Sequence, residues 1–144
     1  RSHQRQKYRL DEIKRWSEFL NIKINIKPKF FPPKDPHLPA KFTIAANLLG
    51  TKVVFGHVLL KQLWSEEKDI SDEKNIEIAS SEFKIDFKEL SLLAKSEKVS
   101  KIYTDNTREA IEKNVFGAPT YIFNNELFWG QDRLEFLERA LKNA

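Results

Sequence analysis

The sequence predicts an α/β protein in which a long helical block lies between a helix-strand beginning and a hairpin-helix end. Three observations carry this. Apolar residues recur three and four positions apart over most of the 144 residues. The segment "IKINIK" at 22–27 alternates apolar and polar residues instead. Near the end, two aromatic-rich runs, "TYIF" and "ELFW", are separated by Asn124 and Asn125.

Residues 8–20, "YRLDEIKRWSEFL", place Ile13, Trp16, Phe19 and Leu20 on one helical face and charges on the other. Ile22, Ile24 and Ile26 then share one face of a period-two strand that ends at Pro28. Residues 28–39, "PKFFPPKDPHLP", carry five prolines, so neither a helix nor a central strand crosses them, and they form a stiff connector. Within it, Phe30 and Phe31 either pack onto the core or wall a ligand pocket.

Residues 40–66 read as two helices divided near Gly50. His57 falls in the second, with no further ligand or base three or four positions away, which makes it a packed or surface residue before a catalytic one. Ser71 caps the next helix, with Asp72 and Glu73 favouring its positive end. Asp86 and Glu89 have the spacing of a capping box that starts another. A helix over 99–114 stops before Gly117. Asn tolerates positive φ, so Asn124-Asn125 suits a two-residue hairpin turn. The chain closes on a helix with Leu134, Leu137 and Leu141 in one stripe.

Charge says little about partners overall: 25 basic and 21 acidic residues leave +4. That excess sits in the first fifteen residues, where Arg1, Arg5, Lys7, Arg9, Lys14 and Arg15 face Asp11 and Glu12. Such a segment reads as a solvated, partly disordered terminus before a phosphate-binding arm, so no nucleic acid partner is expected. The absence of cysteine excludes disulfides, thiolate metal sites and a thiol nucleophile carried by these residues, and no metal is expected. The longest apolar run, "VVFGHVLL" at 53–60, falls far short of the ~18 residues a membrane span needs. With no signal-peptide pattern, a cytoplasmic location is expected. The chain opens on Arg1 and holds no methionine, which suggests that a native beginning precedes it.

Residues 115–134, "VFGAPTYIFNNELFWGQDRL", hold two of the four glycines and the only proline outside 28–39. A proline leading into a strand brings no N–H to the ladder. A cis Ala118-Pro119 bond would turn the preceding carbonyl and N–H outward, where they can pair with an extended ligand. Helix, strand, helical block, hairpin and helix, in that order, make the C-terminal half of a thioredoxin-like domain with an insertion.

"NVFGAPTYIFNNELFWGQDRLEFLERAL" resembles the C-terminal signature of the 2-hydroxychromene-2-carboxylate isomerase family, kin of the kappa-class glutathione transferases. "YRLDEIKRW", "PKFFPP" and "LWSEEKDISDE" resemble three further segments of that family, so the likeness runs over about residues 8–141. It implies a thioredoxin-like part at residues 1–37 and 114–144, a helical insertion at 38–113, and one compact unit. It also implies glutathione as cofactor, a small-molecule substrate and a possible homodimer. Ala118 would pair its main chain with the cysteinyl part of the peptide, and Pro119 would supply the turn. Trp129, Gly130, Gln131 and Asp132 would hold the γ-glutamyl end, Asp132 on the ammonium and N–H groups of the last helix on the carboxylate. Without the resemblance, Asp132 reads as an N-cap with Glu135 as its capping-box partner.

Two departures accompany the likeness. The family's active-site serine lies in an opening strand and helix that nothing before Tyr8 resembles, and Ser2 is not its counterpart. The connector continues as Pro33-Lys34-Asp35 where the family has Asn-Ser or Asn-Thr. The expected function is a glutathione-dependent isomerase or transferase acting on a conjugated aromatic or hydroxy-acid substrate. In the isomerase chemistry the thiolate adds to a conjugated double bond, the bond rotates, and the thiolate leaves. Two alternatives are a thiol-disulfide oxidoreductase of the same fold and a non-catalytic remnant that binds glutathione or a partner.

Overall fold

The structure is a computed structural model that describes residues 2–51 and 54–144. Arg1 of the basic segment and Val53 of the apolar run lie outside the described residues. The described residues form helices α1 (His3–Leu20), α2 (His37–Leu48), α3 (Val54–Ser65), α4 (Glu73–Glu82), α5 (Phe87–Ala94) and α6 (Glu97–Glu112). Strands β1 (Thr120–Phe123) and β2 (Glu126–Trp129), a 3-10 turn (Gln131–Arg133) and α7 (Leu134–Lys142) follow. By packing, the chain divides into two compact units, Arg1–Tyr103 and Thr104–Ala144, so that this division falls inside α6. The division drawn from the resemblance, with its insertion at 38–113, has other bounds than this packing division.

In the N-terminal unit the helical block closes a core of its own. Phe42, Phe55, Ile76, Leu90 and Val99 have no exposed surface. Phe42 lies parallel to Phe87 with ring centroids 6.0 Å apart, and Phe55 meets Phe83 at 5.6 Å. Ala45 and Ala46 of α2 and Ala94 of α5 are buried beside them. Their small side chains let helix backbones approach closely, since interaxial distance follows side-chain size at the contact.

Side-chain caps set most helix starts. Ser2 accepts from the Arg5 N–H at 3.4 Å, so α1 begins five residues before the periodic pattern does, and Arg5, Lys7 and Arg9 ride on a helix instead of a loose arm. Asp86 accepts from the Glu89 N–H at 2.8 Å and opens α5 as expected. The cap of α4 is Asp72, bonded to the Lys74 N–H at 3.0 Å, and not Ser71. Ser71 is engaged elsewhere: its hydroxyl receives the Asp35 N–H at 3.0 Å and ties the proline connector to the helical block.

The strand expected at 22–27 does not form. A strand is made by ladder bonds, and this segment spends its backbone on the end of α3. Asn25 N–H donates to the Trp64 carbonyl at 2.7 Å, and the Ser65 hydroxyl donates to the Lys23 carbonyl at 2.5 Å. The stripe of α1 is likewise left open. None of its residues is buried, and Phe19 is 80% exposed.

In the C-terminal unit, α6 ends on Asn114 in the left-handed region (φ 57°), short of Gly117, a common way to close a helix. Asn124 and Asn125 both have positive φ, which is the type I′ hairpin geometry, and the register sets Thr120 opposite Trp129 and Phe123 opposite Glu126. Of this unit's large side chains Phe128 is buried, at 5% exposure. Among the described residues no helix is long and apolar enough to cross a membrane.

Candidate active site

The hairpin register decides what happens at its open end. With Trp129 opposite Thr120, the next residue, Gly130, donates its N–H to the Pro119 carbonyl at 2.9 Å and carries the pairing one step beyond the strands. This bond joins the two marks singled out in the sequence, the proline and the Trp-Gly-Gln-Asp turn. The Ala118-Pro119 bond is cis. The chain then turns sharply at Gly130, which has φ +108°, into the 3-10 turn and α7.

Glycine is required twice here. At Gly130 the positive φ strains any L side chain, and a Cβ would also run into the Asp132 carboxylate. At Gly117 a Cβ would stand 2.5 Å from Trp129 Nε1, so the missing side chain is what lets the indole lie against the backbone. Phe116 also meets that indole, edge-on, with ring centroids 4.8 Å apart.

These constraints enclose a concave site of about 240 Å³ lined by Ala118, Trp129, Gly130, Gln131, Asp132 and Arg133. Five of the six residues assigned to cofactor binding line it, and the sixth, Pro119, is fastened to its floor through the Gly130 bond. Arg133 is the residue that sequence reasoning passed over. The signal was present, since the quoted motif runs Trp-Gly-Gln-Asp-Arg. Arg133 Nη1 lies 2.7 Å from Asp132 Oδ2, with both side chains about half exposed. An exposed pair of this kind is worth about 0–1 kcal/mol, so a ligand carrying both charges can open it at small expense.

The capping reading of Asp132 is not what forms. Asp132 lies inside the 3-10 turn, α7 has Arg133 at its N-cap position, and neither start has a side-chain cap bond. The carboxylate is therefore left for Arg133 and for a ligand. Among the described residues the Gln131 and Asp132 N–H groups meet no acceptor, as expected for a first helical turn. The N–H and carbonyl of Ala118 are also unpaired among the described residues, and the residue is exposed. The site thus offers one free peptide edge, one carboxylate, one guanidinium and two free N–H groups. That set matches a peptide whose far end is an α-amino acid, with ammonium and carboxylate together.

The two phenylalanines of the connector belong to the N-terminal unit. Phe31 lines an apolar groove there, whereas Phe30 packs against the helical core with Lys29 Nζ 5.1 Å from its ring centroid. Ser2 is the N-cap of α1. His57 is exposed on α3.

Comparison with known proteins adds to this geometry. Residues 2–142 match the family described as DSBA-like thioredoxin domain. The 2-hydroxychromene-2-carboxylate isomerases of Pseudomonas sp. (strain C18) and Pseudomonas putida are each 26% identical over 133 residues, covering 92% and 90% of this chain and 61% and 62% of theirs. That of Sphingobium xenophagum is 23% identical over 135 residues, 94% of this chain and 67% of its own. The chain thus spans about three fifths of the length of the first two relatives. A solved structure of selenomethionine 2-hydroxychromene-2-carboxylate isomerase superposes with a TM-score of 0.75 at 25% identity, over 99% of this chain and 70% of that one. The fold is accordingly the α/β, thioredoxin-like one that the element order and the resemblance led us to expect.

Proposed function

The chain belongs to the DSBA-like thioredoxin domain family, and on that premise we propose that it serves a glutathione-dependent isomerase or transferase acting on a conjugated aromatic or hydroxy-acid substrate in the cytoplasm. The relatives named above are isomerases, which supports the reaction class. The observation that carries the reading is the gathering of Ala118, Trp129, Gly130, Gln131, Asp132 and Arg133 around one concave site.

Glutathione supplies the nucleophilic thiol for reversible addition to a conjugated double bond, which lets that bond rotate. The residues of this chain hold and orient the peptide. The Ala118 N–H and carbonyl pair with the cysteinyl main chain, as an extended ligand pairs with a sheet edge. Asp132 takes the γ-glutamyl ammonium, while Arg133 and the N–H groups of Gln131 and Asp132 take its carboxylate. Trp129 walls the site and keeps the peptide from sliding. Fixing the peptide at both ends confines the thiol to one direction, the ordering that makes a bimolecular step effectively unimolecular. The oxidoreductase alternative finds no cysteine in these 144 residues to carry it.

Calorimetric titration with glutathione tests the reading. The wild-type chain is expected to bind one equivalent, and Asp132→Ala and Arg133→Ala are each expected to weaken binding about tenfold, since a charge-assisted hydrogen bond is worth about 1.5–3 kcal/mol. Cysteinylglycine, which lacks the γ-glutamyl end, should give no heat. Absence of heat from wild type with glutathione, or equal heats from both peptides, overturns the assignment.

A further inference from the structure

Helix α2 stands between two concavities. Pro36, Pro39, Ala40 and Thr43 line the apolar groove that holds Phe31, whereas His37, Leu38, Lys41 and Phe42, half a turn round the helix, line a second cleft of about 240 Å³. Asp35, Ala94 and Lys95 complete it, so it lies wholly in the N-terminal unit. Its floor is apolar, because Phe42 and Ala94 are buried there. Its rim is charged.

The charges of the rim are matched in number but not in place. The Asp35 carboxylate is committed to the first turn of α2, where its Oδ1 accepts from the His37 N–H at 2.8 Å and the Leu38 N–H at 3.2 Å. Those N–H groups are therefore closed to a ligand. Lys95 Nζ lies 2.8 Å from Glu73 Oε1, in a partly exposed pair of the kind that solvent weakens. Lys41 is half-buried and differs from both. Among the described residues its one acceptor is the Ser100 hydroxyl, at the long distance of 3.4 Å, and no carboxylate lies within ion-pair reach. An ammonium carries three donors, so two are left without a protein acceptor where water is partly excluded. His37 adds a donor on the same rim. Its Nδ1 lies 2.8 Å from the Tyr103 hydroxyl, and when the phenol donates there the ring proton sits on Nε2, for which no described residue is an acceptor.

We propose that this cleft binds a small, singly charged oxyanion, a short-chain carboxylate, with its charge on Lys41 and its apolar end toward Phe42 and Ala94. One uncompensated ammonium calls for one negative charge. Asp35 on the rim, and Glu73 behind Lys95, disfavour a second. The volume falls below the ~300–1,000 Å³ of drug-sized ligand sites, which limits the body to a few carbon atoms. The site is independent of the reading given to the C-terminal unit and stands or falls without it.

Acetate and sulfate probe it in the isotope-labelled chain by nuclear magnetic resonance. Acetate should shift the backbone amide signals of Leu38, Lys41 and Lys95 in a saturable way, and sodium chloride at equal ionic strength should not. Lys41→Gln, which keeps a donor for Ser100, should weaken acetate about tenfold, the size of one charge-assisted hydrogen bond. Glu73→Gln should act in the opposite direction, since it releases Lys95 toward the cleft, and should tighten acetate about twofold. Sulfate, a dianion, should bind more weakly than acetate. Unmoved amide signals away from the cleft show that each variant keeps its fold. Equal acetate affinity in Lys41→Gln and wild type would overturn the proposal, as would sulfate binding more tightly than acetate, or shifts that chloride reproduces.

Discussion

The two units of this chain divide the ordinary duties of a protein between them. The N-terminal unit has the buried core: twelve hydrophobic residues there are nearly or fully withdrawn from water, against Phe128 in the C-terminal unit. The C-terminal unit exposes Phe116, Trp129, Leu134, Phe136 and Leu141 by 45% or more. The C-terminal unit instead concentrates its backbone specification: residues 104–144 hold a type I′ turn, a left-handed glycine and a close packing of Gly117 on Trp129, with four positive-φ residues, as many as are described in the much longer N-terminal unit. Packing secures the first unit, and backbone geometry shapes the second. A large core tolerates many residues that fill the same volume, whereas a recognition edge depends on a few atoms in place.

The largest expected effect probes the first half of that contrast. Phe42→Ala removes a ring with no exposed surface from the stack with Phe87, and should cost about 3–5 kcal/mol in urea unfolding. The same truncation at Phe136, half exposed on α7, should cost under about 1 kcal/mol. If the two losses prove equal, the outer face of α7 is covered in solution and the contrast fails.

A pair of glycines sharpens the second half at intermediate size. Gly50 and Gly130 both have positive φ, so alanine at either should cost about 1–2 kcal/mol of backbone strain. They differ in surroundings, because a Cβ at Gly50 meets nothing within 4 Å whereas one at Gly130 meets the Asp132 carboxylate. Gly50→Ala should therefore lose stability and keep glutathione binding, while Gly130→Ala should lose both. Measuring melting and glutathione affinity on the two variants side by side checks this, and loss of binding in Gly50→Ala would count against a site confined to the second unit.

The same contrast explains what could be read in the sequence. The hairpin was legible to the residue, because Asn-Asn between strand formers leaves few alternatives once positive φ is needed twice. The helices of the block were legible from their apolar spacing, with boundaries that moved where one polar side chain displaced another, as Asp72 did Ser71. The alternation at 22–27 said which residues share a face and could not say whether a partner strand is there to pair with. The site was legible chiefly through resemblance. Local physics alone favoured an N-cap for Asp132, and the 3-10 turn, which takes that role away, arises from Gly130 and leaves no periodic trace. Arg133 escaped because an arginine beside an aspartate on a surface is ordinary until both face one cavity.

The smallest effect expected is electrostatic and belongs to the packed unit. Glu66 follows α3 and lies 2.8 Å from Lys68 Nζ and 3.3 Å from Lys61 Nζ. The hydrogen bond from Lys68 foremost, and the one from Lys61, hold its carboxyl below the usual carboxylate range against a partial desolvation. A carboxylate held low in the folded state stabilises the fold above its unfolded pKa, and that contribution is lost as pH falls through the folded value. Glu66→Gln should accordingly be less stable than wild type at neutral pH by up to about 1 kcal/mol, the range of exposed ion pairs, with the difference shrinking in salt. The two proteins should converge only once the pH has fallen below that lowered folded value, because the wild-type carboxyl is then protonated. Urea unfolding of both at neutral and acid pH reads the difference directly. A gap that persists unchanged into acid would mean that Glu66 stabilises through its packed stem and not through its charge.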